Sequence, residues 1–209
     1  KEDEYLIHYK DDATAGNGVK HDKFEGKGVL NNTISCIIFD MLEEAGIKTH
    51  MIKKLNERDI LVKKVDIFPL EVIIRNITTG SFCRRLGAPE GIVLDEPIFE
   101  MSYEYGDPLI NDDHAVALKL ATREELAYIK ETTLKINELL KEFFLSMNLK
   151  LVDFKIEFGK TADGTILLAD EISPDSCDTN QKYDKDVFRQ DIGDLIETYK
   201  AVLARMQNK

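Results

Sequence analysis

Glu157 and Asp170 are the two side chains whose spacing first points to chemistry. The segment Val152-Asp-Phe-Lys-Ile-Glu-Phe158 alternates without a break, apolar at 152, 154, 156 and 158 and charged at Asp153, Lys155 and Glu157. That two-residue period marks a strand with one buried face. Beyond it, Thr161-Ala-Asp-Gly-Thr165 contains Asp-Gly, a strong hairpin signal. Thr165-Ile-Leu-Leu-Ala-Asp-Glu171 then returns as an apolar strand ending in two acids. With Asp163-Gly164 as the turn residues, Ala162 pairs with Thr165 and Glu157 falls opposite Asp170. Facing residues have Cβ atoms about 4.5–5.5 Å apart, and like charges there repel. Either the two acids splay into water as a solvated face, or they share a cation. The interleaved Lys155, the third acid Glu171 and the turn Ile172-Ser-Pro-Asp175 favour the cation. Mg²⁺ suits this pattern, because it is held by one or two carboxylates together with substrate phosphates.

A partner for anions lies in Asn76-Ile-Thr-Thr-Gly-Ser-Phe-Cys-Arg-Arg85, the most basic local segment. Arg75 at the preceding strand end can grip a phosphate or carboxylate through two N–H groups, and Gly80 lets backbone amides approach an anion. The alternative is a basic helix start paired with surface acids. Gly26-Lys-Gly28 and Gly16-Asn-Gly18 lack the full nucleotide-binding patterns and read as tight turns. Lys63 and Lys64 are neighbours in a strand and face opposite sides. Asp107-Pro-Leu-Ile-Asn-Asp-Asp-His114 is a further acidic cluster that can cap a helix or hold an amine. The four histidines show no metal-ligand spacing, and no serine or cysteine sits in a nucleophile signature. Acids for a metal, cations for anions and no nucleophile together suit phosphoryl transfer, where positioning and charge neutralisation do most of the catalysis.

The 209 residues provide one large domain or two small ones, with 43% apolar and 32% charged residues, as in ordinary globular proteins. A formal net charge of −11 argues against general nucleic-acid binding. Three scattered cysteines (Cys36, Cys83, Cys177) make no disulfide framework, and no apolar run reaches membrane-span length. The expectation is a cytoplasmic protein with no membrane and no nucleic-acid partner.

These side chains need elements to hold them. Strands are expected at residues 4–10, 59–65 and 70–75, and a helix capped by Asn31-Asn32 and ended by a left-handed Gly46. Residues 87–114 hold most of the prolines and read as a long ordered excursion. Thr122-Arg-Glu-Glu125 is a capping box opening a long amphipathic helix, and a last helix runs from about Asp184 to Gln207. The pattern is mixed α+β, with a small N-terminal lobe joined near Lys63–Asp66.

Several segments resemble the SAICAR synthetase family of purine biosynthesis. They are Asp12-Ala-Thr-Ala-Gly16, Gly26-Lys-Gly-Val-Leu-Asn-Asn32, Pro69-Leu-Glu-Val-Ile-Ile-Arg-Asn76 with Gly80-Ser81, Gly106-Asp-Pro-Leu-Ile-Asn111, Val152–Gly159, Ala169–Asp175 and Asp184-Lys-Asp-Val-Phe-Arg189. They keep the family's order over nearly the whole chain. The resemblance implies a two-lobed fold: a β-rich lobe over 1–65, its first strand apparently absent, on a larger α+β lobe over 66–209, with the nucleotide in the cleft. It implies an ADP-forming ligase that joins the carboxylate of carboxyaminoimidazole ribonucleotide (CAIR) to the amine of L-aspartate, using ATP and Mg²⁺, and a homodimer. By position, Glu157 and Asp170 would hold the metal beside the nucleotide phosphates. Arg75 and Ser81 would bind the ribonucleotide phosphate, and Lys155 and Asp153 would flank the reacting carboxylate, with Asp107 and Asp175 nearby. Lys63, Lys64 and Val65 would form the hinge against adenine.

Three departures stand out. A Gly-Lys-Ala-Lys strand that opens the family pattern is not in this sequence, the stretch around Tyr103-Glu-Tyr105 is a few residues short, and Asp178-Thr-Asn180 stands where Arg-Leu-Trp-Asp is expected. All three gaps fall where loops would flank the cleft, and the expectation is that the intact protein carries these segments. Two other readings fit the same residues: a small-molecule kinase on a related scaffold, or a nucleotide-binding protein without catalysis.

Overall fold

The computed structural model describes residues 3–15, 20–180, 185 and 193–208. A three-stranded antiparallel sheet orders β1 (Glu4–His8), β5 (Asp59–Lys63) and β4 (Met51–Lys54) side by side. β2 (Asp12–Ala15) and β3 (Lys20–Lys23) form a separate antiparallel pair. A seven-stranded sheet carries the rest, in the order β11 (Ile166–Ala169), β10 (Leu151–Lys160), β7 (Leu70–Ile77), β8 (Val93–Tyr103), β9 (Leu109–Ile110). β6 (Asp66–Ile67) and β12 (Cys177–Thr179) each pair with β10 as well. The helices are α1 (Lys27–Glu44), α2 (Gly80–Leu86), α3 (Asp112–Ala117), α4 (Arg123–Leu145) and α5 (Leu195–Gln207).

β10 is the spine of the large sheet, because its alternation is two-faced. Phe154, Ile156 and Phe158 are buried in the core with Leu70, Val72 and Ile74 of β7 and Met101 of β8. α4 packs on that side through Leu126, Ile129, Ile136 and Leu140. Its Thr122–Glu125 capping box forms as expected, with Glu125 N–H donating to Thr122 Oγ1 and Thr122 N–H to the Glu125 carboxylate. The same logic places Asn111 as the cap of α3, so the acidic cluster at 107–114 serves a helix start. Among the described residues no helix is long and apolar enough to cross a membrane.

Three elements differ from the sequence reading. α1 begins at Lys27 behind Gly26 at φ 88°, so Asn31 and Asn32 are interior and buried. Asn32 earns its place through tertiary hydrogen bonds, donating to the Asn56 and Glu57 carbonyls at 3.3 and 2.9 Å. Residues 93–103 form an eleven-residue strand where an excursion was expected. Pro97 hid it, yet the proline lies in the irregularity between the Arg75–Ile98 and Ile77–Val93 pairs, where no regular ladder bond is lost. α5 is seen from Leu195, behind an Asp194 cap; most of the expected 184–194 stretch, including the Asp184–Arg189 motif apart from Lys185, lies outside the described residues.

β10 and the 63–67 segment approach closely at Gly159. A Cβ there would stand 2.5 Å from Val65 Cγ2 and 3.2 Å from Ile67 Cδ1. We expect Gly159→Ala to push Val65 and Ile67 off β10 and destabilise the fold by about 1–3 kcal/mol, as overpacking does; chemical denaturation measures it.

Candidate active site

The solvent side of the large sheet carries a charged strip. The β10–β7 register sets Asp153 opposite Arg75 and Lys155 opposite Ile73. The β7–β8 register sets Glu71 opposite Ser102, and Glu100 opposite Ile73. With a period of two, Asp153, Lys155 and Glu157 share one face with Glu71, Arg75, Glu100 and Ser102.

Arg75 anchors one end. Only 6% exposed, its guanidinium donates Nε–H to Glu100 at 2.8 Å, Nη1–H to Asp153 at 2.8 Å and Nη2–H to Ser81 Oγ at 3.0 Å. Arg85 from α2 adds a second donor to Glu100 at 2.8 Å. Burial raises the Glu100 pKa, but the two arginines outweigh it and hold this carboxyl below its ordinary range. Arg75 and Ser81 are thus brought together, as the sequence suggested, and Asp153 is committed to Arg75. The basic segment is a helix start whose arginine, Arg85, meets Glu100 together with Arg75.

Midway, the Lys155 ammonium donates to Glu71. Burial disfavours its charge, yet Glu71, Glu157 and Asp170 raise its pKa above the ordinary lysine value. At the far end the hairpin register is corrected. Glu157 pairs with Ala169 and Lys160 with Ile166, one residue off the count that put Glu157 opposite Asp170. The turn is a five-residue loop closed by Thr161 N–H to Thr165 O at 3.0 Å and Gly164 N–H to Thr161 O at 2.9 Å. The Thr161 hydroxyl and the Asp163 carboxylate take the Thr165 N–H at 3.1 and 3.0 Å, so side chains compete for the backbone and the two-residue turn does not form. Asp170 leaves the strand at φ 58°. The two acids still interact: burial first, then Asp170, pushes the Glu157 pKa up to about 7. Burial likewise raises Asp170.

Asp175 stands apart from this strip. It accepts from Lys27 at 2.5 Å and from the Tyr199 hydroxyl, with Lys185 at 4.0 Å. Burial pushes its pKa up, but Lys27 and Lys185 prevail and depress it. Lys27 is only 3% exposed, so Gly26-Lys27-Gly28 is a buried tether between α1, the 173–176 turn and α5 as well as a turn. Glu171, beside Asp175 and Asp170, is pushed up to about 8 by burial and those charges. Asp107 is exposed at φ 53° in the β8–β9 turn, beyond the Leu70–Tyr103 end of the strand pair and away from Arg75.

Lys63, Lys64 and Val65 line a cleft of about 500 Å³ that faces Lys160–Asp163. A cleft of about 580 Å³ lies between Phe68 and the start of α4; Lys160 lines both clefts, and none of the candidate site residues expected from the sequence lines this one. Sequence reasoning missed Glu71, which alternates with Arg75 in β7 and was readable there. Glu100 was hidden with its strand.

Among the described residues, no three acids, histidines or cysteines converge as a closed metal cage. Glu157 and Asp170 are a pair, and their repelling charges, one half-buried and one at the surface, fit a hard cation that completes its shell from phosphates and water.

A sequence model of the SAICAR synthetase family matches residues 1–206. The chain belongs to that family. It is 63% identical to the phosphoribosylaminoimidazole-succinocarboxamide synthase of Finegoldia magna, over 99% of this chain and 93% of the relative. Identity to the same enzyme of Caldanaerobacter subterraneus subsp. tengcongensis is 56%, over 99% and 91%. A solved SAICAR synthetase in complex with ADP superposes with TM-score 0.96 at 46% identity, covering 100% of this chain and 93% of that one. The mixed α+β architecture expected from the sequence is therefore that of the family.

Glu157 supplies a stability test. Its folded pKa of about 7 exceeds the ordinary 4.5, so the native state binds the proton more tightly. Stability is then lost as pH rises from about 4.5 through 7. We expect Glu157→Gln to equal wild type near pH 4.5 and to exceed it by about 1–2 kcal/mol at pH 8, read by thermal unfolding without metal.

Proposed function

We propose that this chain is an ATP- and Mg²⁺-dependent ligase that joins the carboxylate of CAIR to the amine of L-aspartate, yielding SAICAR, ADP and phosphate. The charged strip carries the reading. Arg75 and Asp153 at one end and Glu157 at the other are four residues apart, about 13 Å along a strand. That length suits a ribonucleotide with a phosphate at one end and a carboxylate at the other.

Each candidate residue then has a role. Arg75 and Ser81 hold the ribonucleotide phosphate, with Asp153 and Glu100 fixing the guanidinium plane. Glu157 and Asp170 hold Mg²⁺, which when bound neutralises charge on the nucleotide phosphates. Lys63, Lys64 and Val65 form the hinge that receives adenine, between a lobe of residues 1–65 and a lobe of 66–209. The Lys155 ammonium faces the reacting carboxylate. A CAIR carboxylate oxygen attacks the γ-phosphorus, and the bond to the ADP oxygen breaks. The aspartate nitrogen, having lost a proton, then attacks the acyl carbon, and phosphate leaves. Lys155 balances negative charge through both steps, a role its raised pKa supports. Asp175, bound to Lys27, shapes the wall beside the site, and Asp107 reaches it from the exposed turn. The same reading takes the enzyme as a cytoplasmic homodimer.

ADP release is expected to require ATP, Mg²⁺, CAIR and L-aspartate together. Release that ignored aspartate would refute the ligase. Asp170→Asn is expected to lower turnover on the order of 10²–10³-fold with the fold intact by circular dichroism.

A further inference from the structure

Among the described residues, β7 loses the regular ladders on both sides just past Arg75. Its pairing with β10 ends at Asp153–Arg75, and its pairing with β8 steps from Arg75–Ile98 to Ile77–Val93, leaving residues 94–97 opposite Asn76 alone. The strand therefore has least backbone support where Arg75 faces the site and where the chain turns towards Ser81.

Two side chains fasten it instead. Asn76 alternates onto the face opposite Arg75, the face of Val72 and Ile74, and there meets Asn137 of α4. Asn76 Nδ2–H donates to Asn137 Oδ1 at 2.8 Å, and Asn137 Nδ2–H donates back to Asn76 Oδ1 at 3.1 Å. Asn137 Nδ2 also lies 3.4 Å from the Glu138 carboxylate. The pair is buried, Asn137 at 0% exposure and Asn76 at 9%. Two residues on, Thr78 donates its hydroxyl to the Pro89 carbonyl at 2.8 Å and accepts the Ile92 N–H at 2.9 Å. Ser81 follows directly after that second fastening.

Packing alone does not call for amides here. Ile136 and Leu140 flank Asn137 on the buried face of α4, and two apolar side chains of similar shape in place of the amide pair would be close to neutral in stability. Apolar contacts lack direction, so a strand end can slide against a helix at little cost. A closed pair of N–H···O bonds fixes both distance and angle. Any slide of Asn76 carries its neighbour Arg75 with it, and the Arg75 guanidinium must meet Glu100, Asp153 and Ser81 at once.

We infer that Asn76 and Asn137 are positioning residues whose paired amides pin the end of β7 to α4 and so hold Arg75 in register with Ser81 for the ribonucleotide phosphate. The inference rests on the reading of Arg75 and Ser81 as the residues that bind that phosphate.

Steady-state kinetics with CAIR, and with the corresponding nucleoside that lacks the phosphate, tests this. Asn76→Leu combined with Asn137→Leu removes both amides at similar volume, and its denaturation midpoint is expected to stay near that of wild type. The KM for CAIR is expected to rise about tenfold, the scale of one charge-assisted hydrogen bond. kcat and the KM values for ATP and L-aspartate should hold. With the nucleoside the variant should match wild type, because no phosphate is there to be misplaced. Asn137→Ser keeps the position polar but is too short to close the pair, and it carries the same test should the double variant fail to fold. A wild-type KM for CAIR in the folded variant, or a rise shared by the nucleoside or by ATP, would overturn the inference. Arg75→Gln separates the two layers. If it leaves the KM for CAIR unchanged, the phosphate reading itself fails; if it raises that KM while the amide variants do not, only the role of Asn76 and Asn137 fails.

Discussion

The antiparallel pairing of β10 with β7 is the constraint on which the site depends. One face of that pair is committed to the core by Phe154, Ile156, Phe158, Val72 and Ile74. The opposite face has no freedom left: Asp153, Lys155, Glu157, Glu71 and Arg75 must stand together on it. A slip of one residue in register would bury the charges and expose the aromatic rings. The apolar face therefore holds the charged face in order, and the energy for assembling repelling charges comes from hydrophobic burial beneath them.

Charge balance along that face is uneven, and the unevenness carries the chemistry. Arg75 is balanced by Glu100 and Asp153, with the Ser81 hydroxyl beside it, and Lys27 by Asp175. Breaking such buried pairs is costly, though forming them adds little net stability. Among the described residues, Glu157 and Asp170 share Lys155, which is itself bonded to Glu71. The protein retains a local excess of negative charge where a divalent cation and phosphates would cancel it.

The backbone finishes what the register leaves undone. A plain two-residue hairpin would have aligned Glu157 with Asp170 directly. Thr161 and Thr165 instead close a wider loop, and Asp170 leaves the strand end at φ 58°, near enough for its charge to raise the Glu157 pKa. Gly159, with no side chain, lets Val65 approach β10.

Local periodicity and capping determined a good deal from the sequence alone. The two-faced β10, the α4 capping box, the left-handed Gly46 and the clustering of Arg75 with Ser81 follow from residue types at short spacing. Motifs spread along the chain were enough to indicate the family. Tertiary structure decided everything that depends on a partner distant in sequence. Pro97 masked β8 because only its pairing to β7 shows the proline at an irregularity. Asn31 and Asn32 looked like caps because their tertiary surroundings were out of view. Lys27 and Asp175 are joined although 148 positions separate them in numbering. Sequence spacing encodes contacts within a turn or a strand; contacts between elements exist only once the core has brought them together.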